Sequence, residues 1–235
     1  MMDLHNHTTW SDGLHSVRDL AENAARHNVK HLGVTDHLHT LKVKSLPYDK
    51  VFEYVQEIRL VQNEFRHSLK LYAGVEINLN TAQTKLSRLD YAAINQLDYV
   101  LLEGVEESSE FLKLTQLPKY LKNIECAAGF AHADLMNIAQ NYQKQGGLDF
   151  VLKFMKEHNL FWEINTSQRY PFFNLLLYHP DFFLNEEIEF LLDKLKQYQV
   201  PISVGSDTHS FEYYEIDRLR KGNEVIGSHQ LLSLF

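Results

Sequence analysis

The sequence predicts an α/β fold, a closed or nearly closed parallel barrel. Short apolar, β-prone runs alternate with longer amphipathic stretches along the whole chain. Most of these runs lack strict polar alternation, as expected of parallel strands covered on both faces. No low-complexity linker divides the 235 residues, so one domain spanning 1–235 is expected. Strand–helix repetition of this kind favours a barrel over a sandwich.

The strand candidates are Met2–His5, His31–Thr35, Lys70–Ile77, Tyr99–Leu102, Ala127–Ala131, Leu160–Ile164 and Ile202–Gly205. That is one fewer than the usual eight-stranded barrel carries. Between them, Ser16–Asn28 places Val17, Leu20, Ala21, Ala24 and Ala25 in a helical stripe, with Ser16 as N-cap. Tyr48–His67 carries Val51, Phe52, Val55, Ile58, Leu60, Val61 and Phe65, too many apolar residues for a helix bathed in solvent. Further helices are predicted over Pro118–Glu125, Gly147–His158 and Asn185–Tyr198. Arg169–Leu184 holds Tyr170, Phe172, Phe173, Tyr178, Phe182 and Phe183, and reads as an elaborated loop of the kind that borders active sites.

Composition narrows the partners. Hydrophobic residues make up 44% and charged residues 23%, ordinary for a chain with a core. A net charge of -8 argues against a broad basic surface for extended nucleic acid. The single cysteine, Cys126, permits no intrachain disulfide and no cysteine-based zinc knuckle, in keeping with a cytoplasmic protein. No run is long enough to span a membrane, and the N-terminus does not read as a signal peptide. Thirteen histidines are unusual, and their placement is informative.

Five strand ends carry imidazoles or carboxylates. His5 and His7 lie two apart on an extended segment, which points both side chains the same way. Asp36 and His37 end the second strand, where Asp36 could equally cap a backbone amide; His39 reads as loop surface. Glu76 sits inside an apolar strand, where burial unpaired would be costly. His132 closes the fifth run, with Asp134 either orienting it or capping the next helix. Asp207 and His209 again lie two apart. A parallel barrel gathers such ends at one face. Six to eight ligands of this type suit two or three divalent cations such as Zn²⁺, Mn²⁺ or Fe²⁺.

Asp3–His7, Ser11-Asp12-Gly13, Thr35-Asp36-His37, Glu76, Ala131–Asp134, Glu163-Ile164-Asn165-Thr166 and Gly205–His209 follow in this order over nearly the whole chain. In them the chain resembles the polymerase and histidinol phosphatase (PHP) family of metal-dependent phosphoesterases, and most its stand-alone histidinol-phosphatase-like members. The resemblance implies a distorted seven-stranded (β/α)7 barrel with up to three metals. It implies that His5, His7, Glu76 and Asp207 hold one metal. Glu76 would bridge to a second, bound also by His132, while Asp12, His37 and His209 hold a third. His15 competes with Asp12 for that role. Arg169 matches a phosphate-gripping arginine of relatives. The chain departs from the family at Val105, where relatives carry a second-metal histidine; Glu103 or Glu106 could substitute.

The implied activity is hydrolysis of a small phosphate monoester by a metal-activated water, with Glu76, His209 and Arg169 as catalytic residues. Leaving-group protonation falls to His209 or to a water. The alternatives are a phosphodiesterase or nuclease acting on short nucleic acids or nucleotides, and a weakly active metal-binding regulator.

Overall fold

The computed structural model describes residues 1–178 and 186–235. Its centre is one seven-stranded sheet in the order β1-β2-β3-β4-β5-β6-β7. The strands are β1 (Met2–Asp3), β2 (His31–His37), β3 (Lys70–Asn78), β4 (Tyr99–Glu103), β5 (Ala127–Phe130), β6 (Leu160–Asn165) and β7 (Ile202–Gly205). Every neighbouring pair is parallel. The two ends of the sheet meet: Leu4 N donates to Val204 O at 2.7 Å, Asp207 N to His5 O at 2.8 Å and His7 N to Thr208 O at 2.9 Å. Those bonds close the barrel.

Each of the seven predicted strands is present, and the differences lie at their C-terminal ends. The second strand runs on to His37, the third to Asn78, the fourth to Glu103 and the sixth to Asn165. The polar residues read as following the strands are thus partly inside them. Asp36, Asn78, Glu103 and Asn165 are tolerated in burial because each is hydrogen-bonded at the barrel mouth, while His37 faces the Glu76 carboxylate.

The barrel is wrapped by α1 (Val17–Arg26), α2 (Val51–Phe65), α3 (Tyr91–Ile94), α4 (Pro118–Leu121), α5 (Leu135–Gln140), α6 (Leu148–Glu157), α7 (Pro171–Tyr178), α8 (Glu186–Tyr198) and α9 (Ile216–Ser228). Ser16 caps α1 in a reciprocal capping box with Asp19, an arrangement contributing about 1 kcal/mol. Val17, Leu20, Ala21 and Ala24 are buried beneath it. In α2 the buried side is Val51, Tyr54, Ile58 and Val61, while Phe52 and Leu60 are exposed. Not all of that helix's apolar residues serve the core.

The predicted helix Pro118–Glu125 ends early, at Leu121, and two larger corrections concern other helices. Pro171–Tyr178 is helical, not loop, and Phe173 is fully buried against Trp162 with ring centroids 5.8 Å apart. Phe182, Phe183 and the predicted helix start at Asn185 lie outside the described residues. The α9 helix was not predicted, because Gly222 and Gly227 weaken its helical signal. Gly222 is nevertheless required there: a Cβ would come within 2.9 Å of Val204 and 3.0 Å of Thr166. The missing side chain lets α9 lie directly on β6 and β7.

Candidate metal centre

The C-terminal ends of the strands bring the predicted residues together. Glu76, at the end of β3, is the hub. Its Oε1 lies 3.0 Å from His132 Nε2 and 3.5 Å from His5 Nε2. Its Oε2 lies 3.0 Å from His37 Nδ1 and 3.6 Å from His7 Nε2. Asp207 Oδ1 approaches His7 Nε2 at 3.3 Å and His5 Nε2 at 3.7 Å. Asp12 adjoins from the other side, 3.5 Å from His209 Nε2, 3.8 Å from His7 Nδ1 and 3.9 Å from His37 Nε2. All eight predicted ligands, His5, His7, Asp12, His37, Glu76, His132, Asp207 and His209, therefore share one cluster.

Donor atoms of His7, Asp12, His37 and His209 all fall within 4.8 Å of one another, as do those of His5, His7 and Glu76, and of His37, Glu76 and Glu103. The donors fit divalent metals on two further grounds. The buried Nδ1 atoms of His7, His37 and His132 have no hydrogen-bond partner among the described residues. For His37 the approach to Glu76 is close but lies off the line that a hydrogen bond needs. Buried polar atoms left unpaired are costly, and a coordinated cation removes that cost.

The electrostatics point the same way. Burial would raise the Glu76 carboxyl, but His5, His132 and His37 hold it well below the usual range. Burial would depress His5, yet the carboxylates of Glu163, Glu76 and Asp207 hold it well above the ordinary value. His7, buried and facing His209 and His37, is pushed down to about 3. The carboxylates thus draw positive charge into the cluster, while burial and its neighbouring imidazoles disfavour protonation of His7.

Local structure explains how each group is aimed. Asp36 faces away from the cluster and accepts from Thr8 N (2.8 Å), Thr8 Oγ1 (2.7 Å), Ser11 N (3.0 Å) and Ser11 Oγ (2.6 Å). It thereby shapes the turn that presents Asp12. His132 and Asp207 have φ of 35° and 54°, a left-handed conformation costing about 1–3 kcal/mol each. It is held by His132 N donating to Glu163 Oε2 at 2.7 Å and by the Asp207 N bond to His5 O.

Glu163 is the residue whose role sequence reasoning missed, although it opens one of the family-like motifs. Its Oε1 accepts from His5 Nδ1 at 2.8 Å, and Asn165 Nδ2 donates to its Oε2 at 3.2 Å. A second buried glutamate in an apolar strand was the available signal. Tyr170 was missed too: its ring stacks on His132 (4.3 Å, 10°) and its hydroxyl donates to Asp207 Oδ2 at 3.2 Å. Arg169, beside it, is exposed and lines a cavity of about 310 Å³ with Asp207, His209 and Glu212.

The remaining alternatives resolve geometrically. His15 stacks on Phe211 at 3.7 Å and accepts from its amide at 3.1 Å, apart from the cluster. Asp134 caps α5 by accepting from Asn137 N at 3.0 Å. Val105 is buried and shares a cavity of about 120 Å³ with His132. Glu106 is turned away, accepting from Leu114 N at 2.7 Å and from Tyr142 Oη. Glu103 is buried at the cluster's edge.

Residues 3–167 match the family model described as PHP domain. The chain belongs to the PHP domain family, the metal-dependent phosphoesterase family that its motifs indicated. It is 29% identical over 117 residues to the DNA polymerase/3'-5' exonuclease PolX of Bacillus subtilis (strain 168), a match covering 44% of this chain. The matched part is 20% of that relative's length. The histidinol phosphate phosphatase of Lactococcus lactis subsp. lactis, crystallised with zinc, L-histidinol and phosphate, has the same fold. Its TM-score is 0.63 at 19% identity, covering 99% of this chain and 95% of that one. A structure from work on YwqE of Bacillus subtilis and CpsB of Streptococcus pneumoniae, metal-dependent tyrosine phosphatases, follows. Its TM-score is 0.55 at 15% identity, covering 97% of this chain and 87% of that one. Among the described residues no helix is long and apolar enough to cross a membrane.

Proposed function

We propose that the chain, as one domain over residues 1–235, is a metal-dependent phosphatase that hydrolyses the monoester of a small phosphorylated molecule. The observation that carries this reading is the convergence of five imidazoles, from four segments of the chain, on the Glu76 and Asp207 carboxylates. Asp12, His37 and His209 would hold one divalent ion, and His5, His7, Glu76 and Asp207 another, with His132 beside Glu76. Such nitrogen and oxygen donors suit Zn²⁺, Mn²⁺ or Fe²⁺. When bound, these ions supply Lewis acidity toward phosphoryl oxygens and a water ionised near neutral pH.

The chain's own groups do the rest. Glu76 stands between the two ligand sets and fixes their spacing. His209 Nδ1 donates to Asp207 O at 3.0 Å, which leaves Nε2 facing Asp12 and the open side of the cluster. With Nε2 committed to the ion, His209 would hold the centre, and the proton for the leaving oxygen would come from a water there. Arg169, exposed at the mouth, would grip outer phosphate oxygens in the forked geometry that lysine lacks.

The likeness to a polymerase-associated exonuclease favours a second reading, a phosphodiesterase for short oligonucleotides. The net charge of -8 opposes a long nucleic-acid track. Assay of p-nitrophenyl phosphate against its bis-ester, with Mn²⁺ or Zn²⁺, tests the choice. The monoester should turn over faster. Faster cleavage of the bis-ester would move the assignment to phosphodiesterase, and cleavage of neither with metals bound would favour a regulator.

A further inference from the structure

We infer that Lys42 is a built-in cation at the Glu76–Glu103 edge of the centre, standing where a further metal would otherwise bind. The inference rests on the metal-dependent reading above and concerns how many ions the chain takes up.

His37, Glu76 and Glu103 form a buried donor group of the right size for a divalent ion. Glu103, however, is already engaged at both oxygens. Lys42 Nζ donates to Oε1, and Asn78 Nδ2 donates to Oε2 at 3.1 Å. The two positions weighed in its place, Val105 and Glu106, offer nothing in exchange. Val105 is buried and has no donor atom, and the Glu106 carboxylate is committed to Leu114 N and Tyr142. A divalent ion placed on Glu103 would meet the ammonium at contact distance in a site of low dielectric, where like charges repel strongly.

Lys42 is not a stray surface side chain. After β2 the chain doubles back, with Leu38 and Leu46 paired. His39 N donates to Leu46 O and Leu46 N to His37 O, at 2.9 and 2.8 Å. The tip of this turn is tied down by Leu41 N donating to Gln83 O at 2.9 Å and by Lys42 N donating to Thr40 Oγ1 at 3.2 Å. The segment that ends in the ligand His37 therefore also delivers the ammonium. With its side chain 35% exposed, Lys42 also keeps contact with solvent. The chain itself then supplies the positive charge that a metal would have brought.

The test is metal uptake by the full-length chain, read by calorimetric titration with Mn²⁺ and by elemental analysis after gel filtration. Lys42→Met uncovers Glu103 and should take up one more ion per chain than the wild type. Lys42→Arg, which keeps the charge, should match the wild type. Glu103→Gln should match it too, since Glu103 binds no metal in the native chain. Loss of one ion in Glu103→Gln would overturn the inference, as would an unchanged count in folded Lys42→Met or a gain in Lys42→Arg. The Glu103→Gln arm decides the matter if Lys42→Met does not fold. Normal uptake that falls in Glu103→Gln sinks this inference alone. A wild-type chain that takes up no divalent ion sinks the metal-dependent reading and this inference with it.

Discussion

His5 and Glu163 are joined through Nδ1 and Oε1 at 2.8 Å, with both side chains buried. The bond fixes the imidazole so that Nε2 is the nitrogen facing Glu76, His7 and Asp207. A carboxylate behind a histidine also raises its basicity as a ligand. Space for the pair is made by Gly205, where a Cβ would stand 2.2 Å from Glu163 Oε1 and 2.4 Å from His5 Cβ.

Glu163→Gln keeps the shape but removes the charge behind His5 and beneath the His132 amide. Metal affinity should fall by about 10–100-fold while the fold persists. Metal titration alongside far-UV circular dichroism checks this. Native affinity in a folded variant would show that the pair serves packing alone.

Glu76→Gln removes the charge that faces His5 and His132 through one oxygen and His7 and His37 through the other. Turnover should fall by at least ~10²-fold, together with loss of metal. The measurement is kcat with metal content determined on the same sample. Near-normal turnover with metals bound would make Glu76 structural.

The fold was legible because its signal is repetitive. Seven apolar runs separated by amphipathic stretches need only approximate boundaries to define a parallel barrel, here closed by bonds between the first and last strand segments. The cluster of candidate ligands was legible because burying histidines and acids at strand ends is costly unless a cation or a counter-charge meets them there. What escaped was whatever depends on direction. Arg169 and Tyr170 are adjacent in sequence, and only the start of α7 decides that the tyrosine turns onto His132. Lys42 lies in a polar loop, 61 residues from Glu103, and no spacing rule connects them. Glu163 carried the same buried-carboxylate signal as Glu76, but its partner lies across the barrel on the segment after β1.

Asp36 offers a stability test separate from metal binding. Its carboxylate accepts four hydrogen bonds from Thr8 and Ser11, and Asp36→Ala leaves the buried Thr8 amide unpaired while Ser11 N keeps Thr8 O. Stability should fall by roughly 2–4 kcal/mol, since bonds to a charged group contribute about 1.5–3 kcal/mol and do not add fully. Urea unfolding of the metal-stripped protein reads this directly. A change below about 0.5 kcal/mol, the range of neutral surface substitutions, would mean that the Thr8–Ser11 turn holds itself.

The most direct test of the central claim is removal and return of the metal. Exhaustive chelation should abolish hydrolysis of p-nitrophenyl phosphate, and Mn²⁺, Zn²⁺ or Fe²⁺ should restore it, with uptake lost in a His7→Ala variant. Full activity in a sample verified to be metal-free would contradict the account at its root.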